Sequence, residues 1–283
     1  MAVLGKTMRL RRLIHQESNS CIICALDHGM TSPRFLSGLS EMTVIVREVL
    51  AGGANALMLS RSIAEQVITE FRRDTSLALM LSGSAAGRPS GALVTPTSSV
   101  KTALRSGADA VVVYNALAGE DEPNMISYLS QVGDSCEAMG MPLIAEAEYP
   151  NAYQELDRFQ TEYGPEYLLR NARLCVELGA DIVKVNWPGS MKELERIVQA
   201  CRVPIVVAGG VVVDEWELLS RFEQSRKVGA VGCSVGRNIF QHRYPQAMTG
   251  AICRVLRDGW LAKEAYQELK ELSLLAESDH RHS

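Results

Sequence analysis

The sequence lacks the long apolar runs and the basic excess that mark several large classes of protein. No segment approaches the roughly eighteen consecutive apolar residues of a membrane-spanning helix, so we expect no membrane association. The formal net charge is −4 at pH 7, which argues against a nucleic-acid-binding surface. Residues 1–12 lack the apolar core and cleavage site of a secretory signal, which is typical of a cytoplasmic protein.

The sequence also lacks a disulfide framework and clustered histidines. The seven cysteines are odd in number and scattered, which indicates reduced, buried thiols rather than a disulfide framework. Cys21 and Cys24 form a CxxC motif, but residues three apart in a strand face opposite sides. Outside the tail the histidines are His15, His28 and His242, far apart, so a histidine-bound catalytic metal is disfavoured. We expect no cofactor and no metal, although a magnesium site built from carboxylates alone stays open.

What the sequence does contain is a regular alternation of two kinds of segment. Eight short apolar runs predict strands: Cys21–Leu26, Ala56–Leu59, Leu77–Leu81, Ala110–Tyr114, Pro142–Ala147, Asp181–Val185, Pro204–Ala208 and Ala230–Val235. Amphipathic, helix-like segments lie between them, among them Met42–Ala51, Val100–Ser106, Met125–Met139, Tyr167–Leu178, Met191–Cys201 and Glu215–Glu223. Three of these helices end in a Gly-Ala phrase, at Gly53, Gly107 and Gly179, that leads directly into a strand.

Eight strands in βα alternation predict an α/β fold, a single-domain (β/α)8 TIM barrel over residues 1–276. A doubly wound open sheet is the competing architecture, but no G-x-G-x-x-G follows the first strand. We expect an extra helix over Lys6–Gln16 and a terminal helix over Trp260–Ala276. The polar residues 277–283 are expected to be a disordered tail.

A lysine interrupts the sixth apolar run. Strand alternation places Ile182, Lys184 and Asn186 on one face and Val183 and Val185 on the other. If the valines pack under the helices, the lysine points into the barrel, where burial would lower its pKa and leave a neutral, nucleophilic amine. The alternative is a strand-end lysine that reaches solvent, and the strand alone does not decide between the two.

Glycines follow the seventh and eighth strands, where this fold commonly binds phosphate. Gly209 and Gly210 end one strand, and Gly236 and Arg237 end the next. Backbone N–H groups approach an anion closely at glycines, and arginine adds a charge-assisted contact, so we predict a phosphate site. The alternative is that the glycines turn tight corners and the arginine pairs with a surface carboxylate.

Acidic and aromatic residues end the first and fifth strands. Asp27 is a candidate acid/base group at the barrel mouth, and its neighbour His28 would contact substrate or serve as a structural hydrogen bonder. Tyr149 could pass protons near a neutral lysine, or could act as an aromatic lid over the core. Alternation places Glu146 and Glu148 opposite Tyr149, but strands often bulge at their ends, so alternation does not choose between them.

Together these segments resemble the archaeal-type class I aldolases, the DhnA-like Schiff-base aldolases. The matching segments are Ala25–Gly29, Tyr149–Pro150, Val183–Lys184, Ala208–Gly210 and Gly236–Gln241. The resemblance implies an imine on Lys184, with Tyr149 as proton shuttle and Asp27 as acid/base partner. The substrate and phosphate contacts expected with it are His28, Asn186, Gly209, Gly210, Gly236 and Arg237. Such proteins are often homo-oligomers, decamers among them.

The family divides by reaction, and the resemblance does not assign the branch. One branch cleaves fructose 1,6-bisphosphate, a second makes amino-dideoxy-heptulosonate from aspartate semialdehyde, and a third transfers acetyl groups to coenzyme A. The chain departs from the family pattern at Ala147, at Asn151, which follows Tyr149-Pro150, and at Trp187. We expect a phosphoketose aldolase or transaldolase of the first kind. The other two activities, or a phosphate-binding barrel without turnover, are the alternatives.

Overall fold

The computed structural model describes residues 4–32, 35–84, 94–117, 121–150 and 156–280. Ten strands occur in this part of the chain: β1 (Cys21–Ala25), β2 (Ala56–Leu59), β3 (Ser76–Met80), β4 (Ser82–Ser84), β5 (Val94–Pro96), β6 (Ala110–Asn115), β7 (Leu143–Ala147), β8 (Ile182–Val185), β9 (Ile205–Ala208) and β10 (Gly232–Val235). Eight of them close a parallel barrel in the order β1-β10-β9-β8-β7-β6-β3-β2, and β4 and β5 form an antiparallel hairpin. The predicted TIM barrel is confirmed.

Helices cover the outside of the barrel. They are α1 (Leu4–Leu13), α2 (Met42–Ala51), α3 (Arg61–Val67), α4 (Val100–Arg105), α5 (Glu122–Met139), α6 (Leu156–Glu177), α7 (Met191–Cys201), α8 (Glu215–Lys227), α9 (Arg237–Phe240), α10 (Pro245–Leu256) and α11 (Ala262–His280). Among the described helices none is both long and apolar enough to cross a bilayer. Helix α11 extends beyond the predicted Ala276, so residues 277–280 are helical, while 281–283 lie outside the described residues.

The core has two layers, and the alternation of each strand divides its residues between them. Inward-facing residues such as Ile23, Met58 and Val206 fill the barrel, and Leu13 of α1 closes its amino end. Outward-facing residues such as Val183 pack beneath the helices. The cysteines of the CxxC motif follow this rule, with Cys21 inside and Cys24 outside, so they do not form a paired site.

The repeated Gly-Ala phrases have a structural purpose that involves the residue after them. Asn55, Asp109 and Asp181 each follow such a phrase, and each side chain accepts a hydrogen bond from the backbone N–H of a neighbouring chain segment. The N···O distances are 2.8 Å from Ile22 N to Asn55 Oδ1, 3.1 Å from Leu77 N to Asp109 Oδ2 and 2.9 Å from Leu143 N to Asp181 Oδ2. These bonds satisfy donors at the amino ends of the barrel strands and set the register between neighbours.

Helices α1 and α6 also differ from the sequence-based expectation. Helix α1 spans Leu4–Leu13 rather than Lys6–Gln16. Helix α6 starts eleven residues earlier than predicted and is kinked at Gly164, where φ is 61°, immediately before Pro165. The proline has no N–H and disfavours α geometry in the residue before it, so two helical segments meet at this point.

Candidate active site

Lys184 points into the barrel from the carboxyl half of β8. Its strand neighbours Val183 and Val185 lie in the outer layer, and Ile182 lies in the barrel interior. The side chain is buried, which confirms the predicted interior position and excludes the solvent-exposed alternative. The orientation follows from strand alternation alone.

The Lys184 ammonium contacts two carboxylates of the neighbouring strand. It donates to Oε1 of Glu146 at 2.6 Å and lies 2.9 Å from Oε1 of Glu148. The pairing of β7 with β8 sets Glu146 directly beside Lys184, and Glu148 lies on the same face two residues further along. All three side chains are almost fully buried, so this is an ion-paired cluster removed from water.

The expectation of a lowered pKa for Lys184 is wrong for this structure. Burial lowers the pKa of the amine, but the nearby charges of Glu146, Glu148 and Asp27 act in the opposite direction and prevail. The pKa of Lys184 therefore lies above its ordinary value, and the resting side chain is an ammonium. Before it can attack a carbonyl carbon, this lysine must transfer a proton to a neighbouring group.

The carboxyls around Lys184 are well placed to exchange that proton. Burial raises the pKa of Glu146 to about 8. The charge of Glu148 raises this pKa further, whereas the charge of Lys184 lowers it. Burial likewise raises the pKa of Asp27 to about 6. Both carboxyls titrate near neutral pH, which is the range in which a general acid or base works best.

The side chain of Tyr149 does not join this cluster. Its ring packs in the outer layer and stacks on Tyr167 of α6, with ring centroids 5.9 Å apart. Its backbone N–H donates to Oδ1 of Asn186 at 2.7 Å, and burial raises the pKa of its phenol to about 12. Alternation therefore holds at this strand end, and the residues brought to Lys184 are Glu146 and Glu148.

On the opposite side of the mouth, His28 and the predicted phosphate loop pack together. The His28 ring meets Phe240 edge to face at 5.1 Å. A Cβ on Gly236 would lie 2.3 Å from Cε1 of His28, so only glycine fits there. Burial, together with the charges of Arg237 and Lys184, lowers the pKa of His28 to about 3, so its imidazole is neutral.

Asn238, which the sequence analysis missed, connects the two glycine loops. Its amide donates to the carbonyls of Gly209 at 3.0 Å and Val211 at 2.9 Å, and its Oδ1 accepts from the backbone N–H of Val213 at 3.0 Å. Gly210 adopts a φ of 69°, the left-handed region that favours glycine. The predicted segment Gly236–Gln241 contained the signal, because an asparagine directly after Gly-Arg is placed to reach the preceding loop.

Several polar atoms in the mouth have no partner among the described residues. Oδ2 of Asp27, Oε2 of Glu146 and Oγ of Ser234 are buried without a hydrogen bond. Buried polar groups are normally paired, so unpaired ones in a cleft mark where a polar ligand binds. These residues belong to or follow β1, β7 and β10, so with Lys184 on β8 they are distributed around the barrel mouth.

A buried lysine among carboxyl groups at the carboxyl end of a TIM barrel is the arrangement expected of a Schiff-base aldolase. Residues 21–242 match the family model of the DeoC/LacD family aldolases, and the chain belongs to this family. It is therefore an enzyme of the aldolase class.

Relatives with known names support the same class. A 2-amino-3,7-dideoxy-D-threo-hept-6-ulosonate synthase from Halobacterium salinarum is 32% identical over 258 residues, which are 91% of this chain and 94% of that protein. A 2-amino-4,5-dihydroxy-6-oxo-7-(phosphonooxy)heptanoate synthase from Streptomyces griseus is 31% identical, over 91% of this chain and 92% of its own length. The crystal structure of an archaeal fructose 1,6-bisphosphate aldolase superposes with a TM-score of 0.77 at 25% identity, covering 89% of this chain and 99% of that one.

Proposed function

We propose that this protein is a class I aldolase or transaldolase that binds a phosphorylated ketone as an imine on Lys184. The observation that carries the proposal is the position of the Lys184 amine, buried in the barrel mouth 2.6 Å from Glu146 and 2.9 Å from Glu148. A structural ion pair needs no second carboxylate and no place at the mouth, whereas an imine-forming lysine needs both a proton acceptor and access to substrate.

Imine formation begins with the transfer of a proton from Lys184. Its ammonium gives the proton to a neighbouring carboxylate, and the neutral amine then adds to the ketone carbon, forming a C–N bond and a carbinolamine. A carboxylic acid returns a proton to the carbinolamine hydroxyl, which leaves as water. Glu146, 2.6 Å from the Lys184 amine, is our choice both to accept the proton of the ammonium and, once protonated, to act as this acid, and its raised pKa favours the protonated form.

The protonated imine then accepts the electron pair of the C–C bond that breaks. A carboxylate removes the proton of the hydroxyl on the departing carbon, the aldehyde leaves, and the enamine remains on Lys184. In the synthetic direction the enamine attacks an acceptor aldehyde and the same groups work in reverse. We propose Asp27 as the second acid/base group, because its pKa of about 6 lies below that of Glu146.

The phosphate would bind at Gly209, Gly210, Gly236 and Arg237. These residues end β9 and begin α9, and Asn238 holds their loops together. Anchoring the phosphate on this side would orient the carbonyl carbon toward Lys184, and His28 and Asn186 would form the wall between the two. The neutral imidazole of His28 can donate one hydrogen bond without adding charge.

Two substrate assignments have support. A fructose-bisphosphate or dihydroxyacetone-phosphate reaction is favoured by the likeness to the archaeal aldolase, one structure of which holds the catalytic Lys bound to the carbinolamine intermediate. A heptulosonate synthase-like transaldolase reaction is favoured by the relatives that are 31–32% identical over nine-tenths of the chain. Lysine-dependent acyl transfer to coenzyme A is the third alternative and would use the same amine.

Borohydride trapping tests the imine directly. The protein is incubated with dihydroxyacetone phosphate and sodium borohydride, and the adduct is located by intact mass and peptide mapping. We expect one adduct on Lys184, absent without ketone and absent in Lys184→Ala. Lys192→Ala, which removes an exposed lysine at the start of α7, is the matched control and should keep the adduct.

The acceptor is identified in a second step. Dihydroxyacetone phosphate or fructose 1,6-bisphosphate is offered with either glyceraldehyde 3-phosphate or aspartate semialdehyde, and the products are resolved by mass. No adduct with either ketose and no turnover with either aldehyde would contradict the proposal. Turnover that requires coenzyme A would instead assign the lysine to acyl transfer.

A further inference from the structure

The amino end of the barrel, opposite the candidate active site, contains a pocket of about 570 Å³. Five arginines line it, together with two acidic residues, Glu17 and Asp74. The arginines are Arg11, Arg12, Arg72, Arg73 and Arg257. This concentration of positive charge occurs in a chain whose formal net charge is −4, so it is a local feature and not a consequence of composition.

Most of this positive charge is not neutralised by carboxylates. Of the five, only Arg12 forms an ion pair within the described residues, with Asp109 at 2.6 Å. Arg72 donates to the carbonyl of Leu50 at 3.0 Å, and Arg257 donates to that of Gly53 at 2.9 Å. A guanidinium has five N–H donors, so one bond to a neutral carbonyl leaves most of its donors free for a ligand.

Two further donors in the pocket are buried without a partner among the described residues. Ser76, at the start of β3, is 1% exposed, and its Oγ has no hydrogen bond. Nε of Arg257 is buried and also lacks an acceptor. Both residues line the pocket. Unpaired buried donors are costly, and a bound anion supplies the acceptor oxygens that such donors lack.

We propose that the amino end of the barrel holds a second anion site, which binds a small phosphorylated molecule separately from the phosphate of the substrate. Arginine forks match phosphate oxygens in pairs, and a pocket of this size accommodates a sugar phosphate. The described lining contains no lysine, so it offers no second imine-forming group, and we assign this site a binding role.

The pocket is directly bonded to the strand that carries the acid/base residue Asp27. Asn55, which lines the pocket, donates to the carbonyl of Leu13 at 2.6 Å and accepts from the N–H of Ile22 in β1 at 2.8 Å. Strand β1 runs from this contact to the opposite mouth, where Asp27 follows it. Through the hydrogen bond between Asn55 and Ile22, a ligand in this pocket would be linked to the strand that precedes Asp27.

Calorimetric titration with inorganic pyrophosphate, at constant ionic strength set with sodium chloride, tests this second site. The wild-type chain should bind two equivalents, one at each end of the barrel. Arg237→Gln should weaken the active-site event, and the double variant R11Q/R73Q should weaken the other at least tenfold. Both arginines of the double variant are exposed, so we expect the fold to survive, and the thermal unfolding midpoint verifies this.

The matched control is R61Q/R105Q, which removes two exposed arginines beside a different surface depression, at α3 and α4. It should keep both binding events within twofold of wild type. A single binding event that Arg237→Gln removes would overturn the second site, as would equal losses in R11Q/R73Q and R61Q/R105Q. Because the measurement is binding in the absence of ketone, its result does not depend on imine chemistry at Lys184.

Discussion

The two ends of the barrel carry charged groups in opposite arrangements. At the carboxyl end one ammonium lies among buried carboxyls, and burial brings the pKa of Glu146 to about 8 and that of Asp27 to about 6. At the amino end guanidinium groups are exposed or half-buried and bond mostly to neutral acceptors. Arginine stays charged under all ordinary conditions. The first arrangement can move protons, whereas the second can only hold an anion.

Among the predicted effects on this difference between the two ends, the largest is expected when the Lys184 ammonium is removed. Lys184→Ala should lower kcat by at least ~10³-fold, because it removes the amine that would form the imine. Lys184→Arg keeps the positive charge but forms no imine, so it should lose as much activity while retaining more stability. Steady-state turnover and borohydride trapping provide the two readouts. Activity within tenfold of wild type in either variant would contradict a covalent role for Lys184.

The neighbouring carboxyl should have the next largest effect. Glu146→Gln keeps the shape and a hydrogen-bond acceptor beside Lys184 but cannot exchange a proton, so kcat should fall by ~10²-fold or more. Glu148→Gln is the comparison variant, since Glu148 also contacts the ammonium. If the two losses are equal, the carboxyls act as a pair. If neither exceeds a few-fold, proton transfer is carried by another group.

The pH dependence of stability tests the same carboxyl without measuring turnover. The folded-state pKa of Glu146, about 8, lies above its unfolded value near 4.5, so as pH rises between them the unfolded state loses its proton first. In that window the folded protein keeps the proton of Glu146 and the unfolded chain does not, so the free energy of unfolding falls as the pH rises. Glu146→Gln should remove that slope in urea titrations from pH 5 to pH 8.

Asp27→Asn is the control for this pH series. The folded-state pKa of Asp27 is about 6. Its effect on the slope of the free energy of unfolding against pH therefore ends at a lower pH than the effect of Glu146 does. The variant should flatten the stability curve only below about pH 6 and leave the slope toward pH 8 in place. The same slopes in both variants and in wild type would mean that neither carboxyl has the raised pKa described here.

A substitution of Arg237 tests the proposed phosphate-binding part of the active site. Arg237→Gln should raise KM for phosphorylated ketones by ~10- to 100-fold, the size expected when a charge-assisted hydrogen bond to an anion is lost. A ketone without phosphate, dihydroxyacetone, should show little change between the variant and wild type. An equal increase in KM with both ketones would mean that Arg237 supports the folded structure of the mouth and does not bind phosphate.

Local sequence pattern was sufficient for most of the barrel and for the direction of Lys184. The strands are short β-branched runs, and the valines beside Lys184 determine its face by alternation. Pattern was not sufficient for the pKa of this lysine, because its partner Glu146 lies 38 residues away and meets it only through the pairing of β7 with β8. The sequence pattern did not predict the arginine-lined pocket for the same reason. Its residues come from α1, the segment before β3 and the end of α10, which are far apart along the chain.

The smallest predicted effect concerns Tyr149, for which resemblance and geometry give different expectations. Family resemblance makes it the proton shuttle, while the structure stacks its ring on Tyr167 outside the barrel. Tyr149→Phe keeps that stacking and removes only the phenol. If Glu146 and Asp27 move the protons, kcat should fall less than tenfold, because the phenol, with a pKa of about 12, is not needed for transfer near neutral pH.

The two explanations are distinguished by comparing the loss of kcat in Tyr149→Phe with the loss in Glu146→Gln under the same conditions. A loss in Tyr149→Phe that exceeds the loss in Glu146→Gln would show that the phenol reaches the imine during turnover, which requires the ring to leave Tyr167. A Tyr167→Ala variant then separates the two explanations. Removing the stacking partner should increase turnover if the ring must move inward, whereas it should lower stability without increasing turnover if Tyr149 only packs.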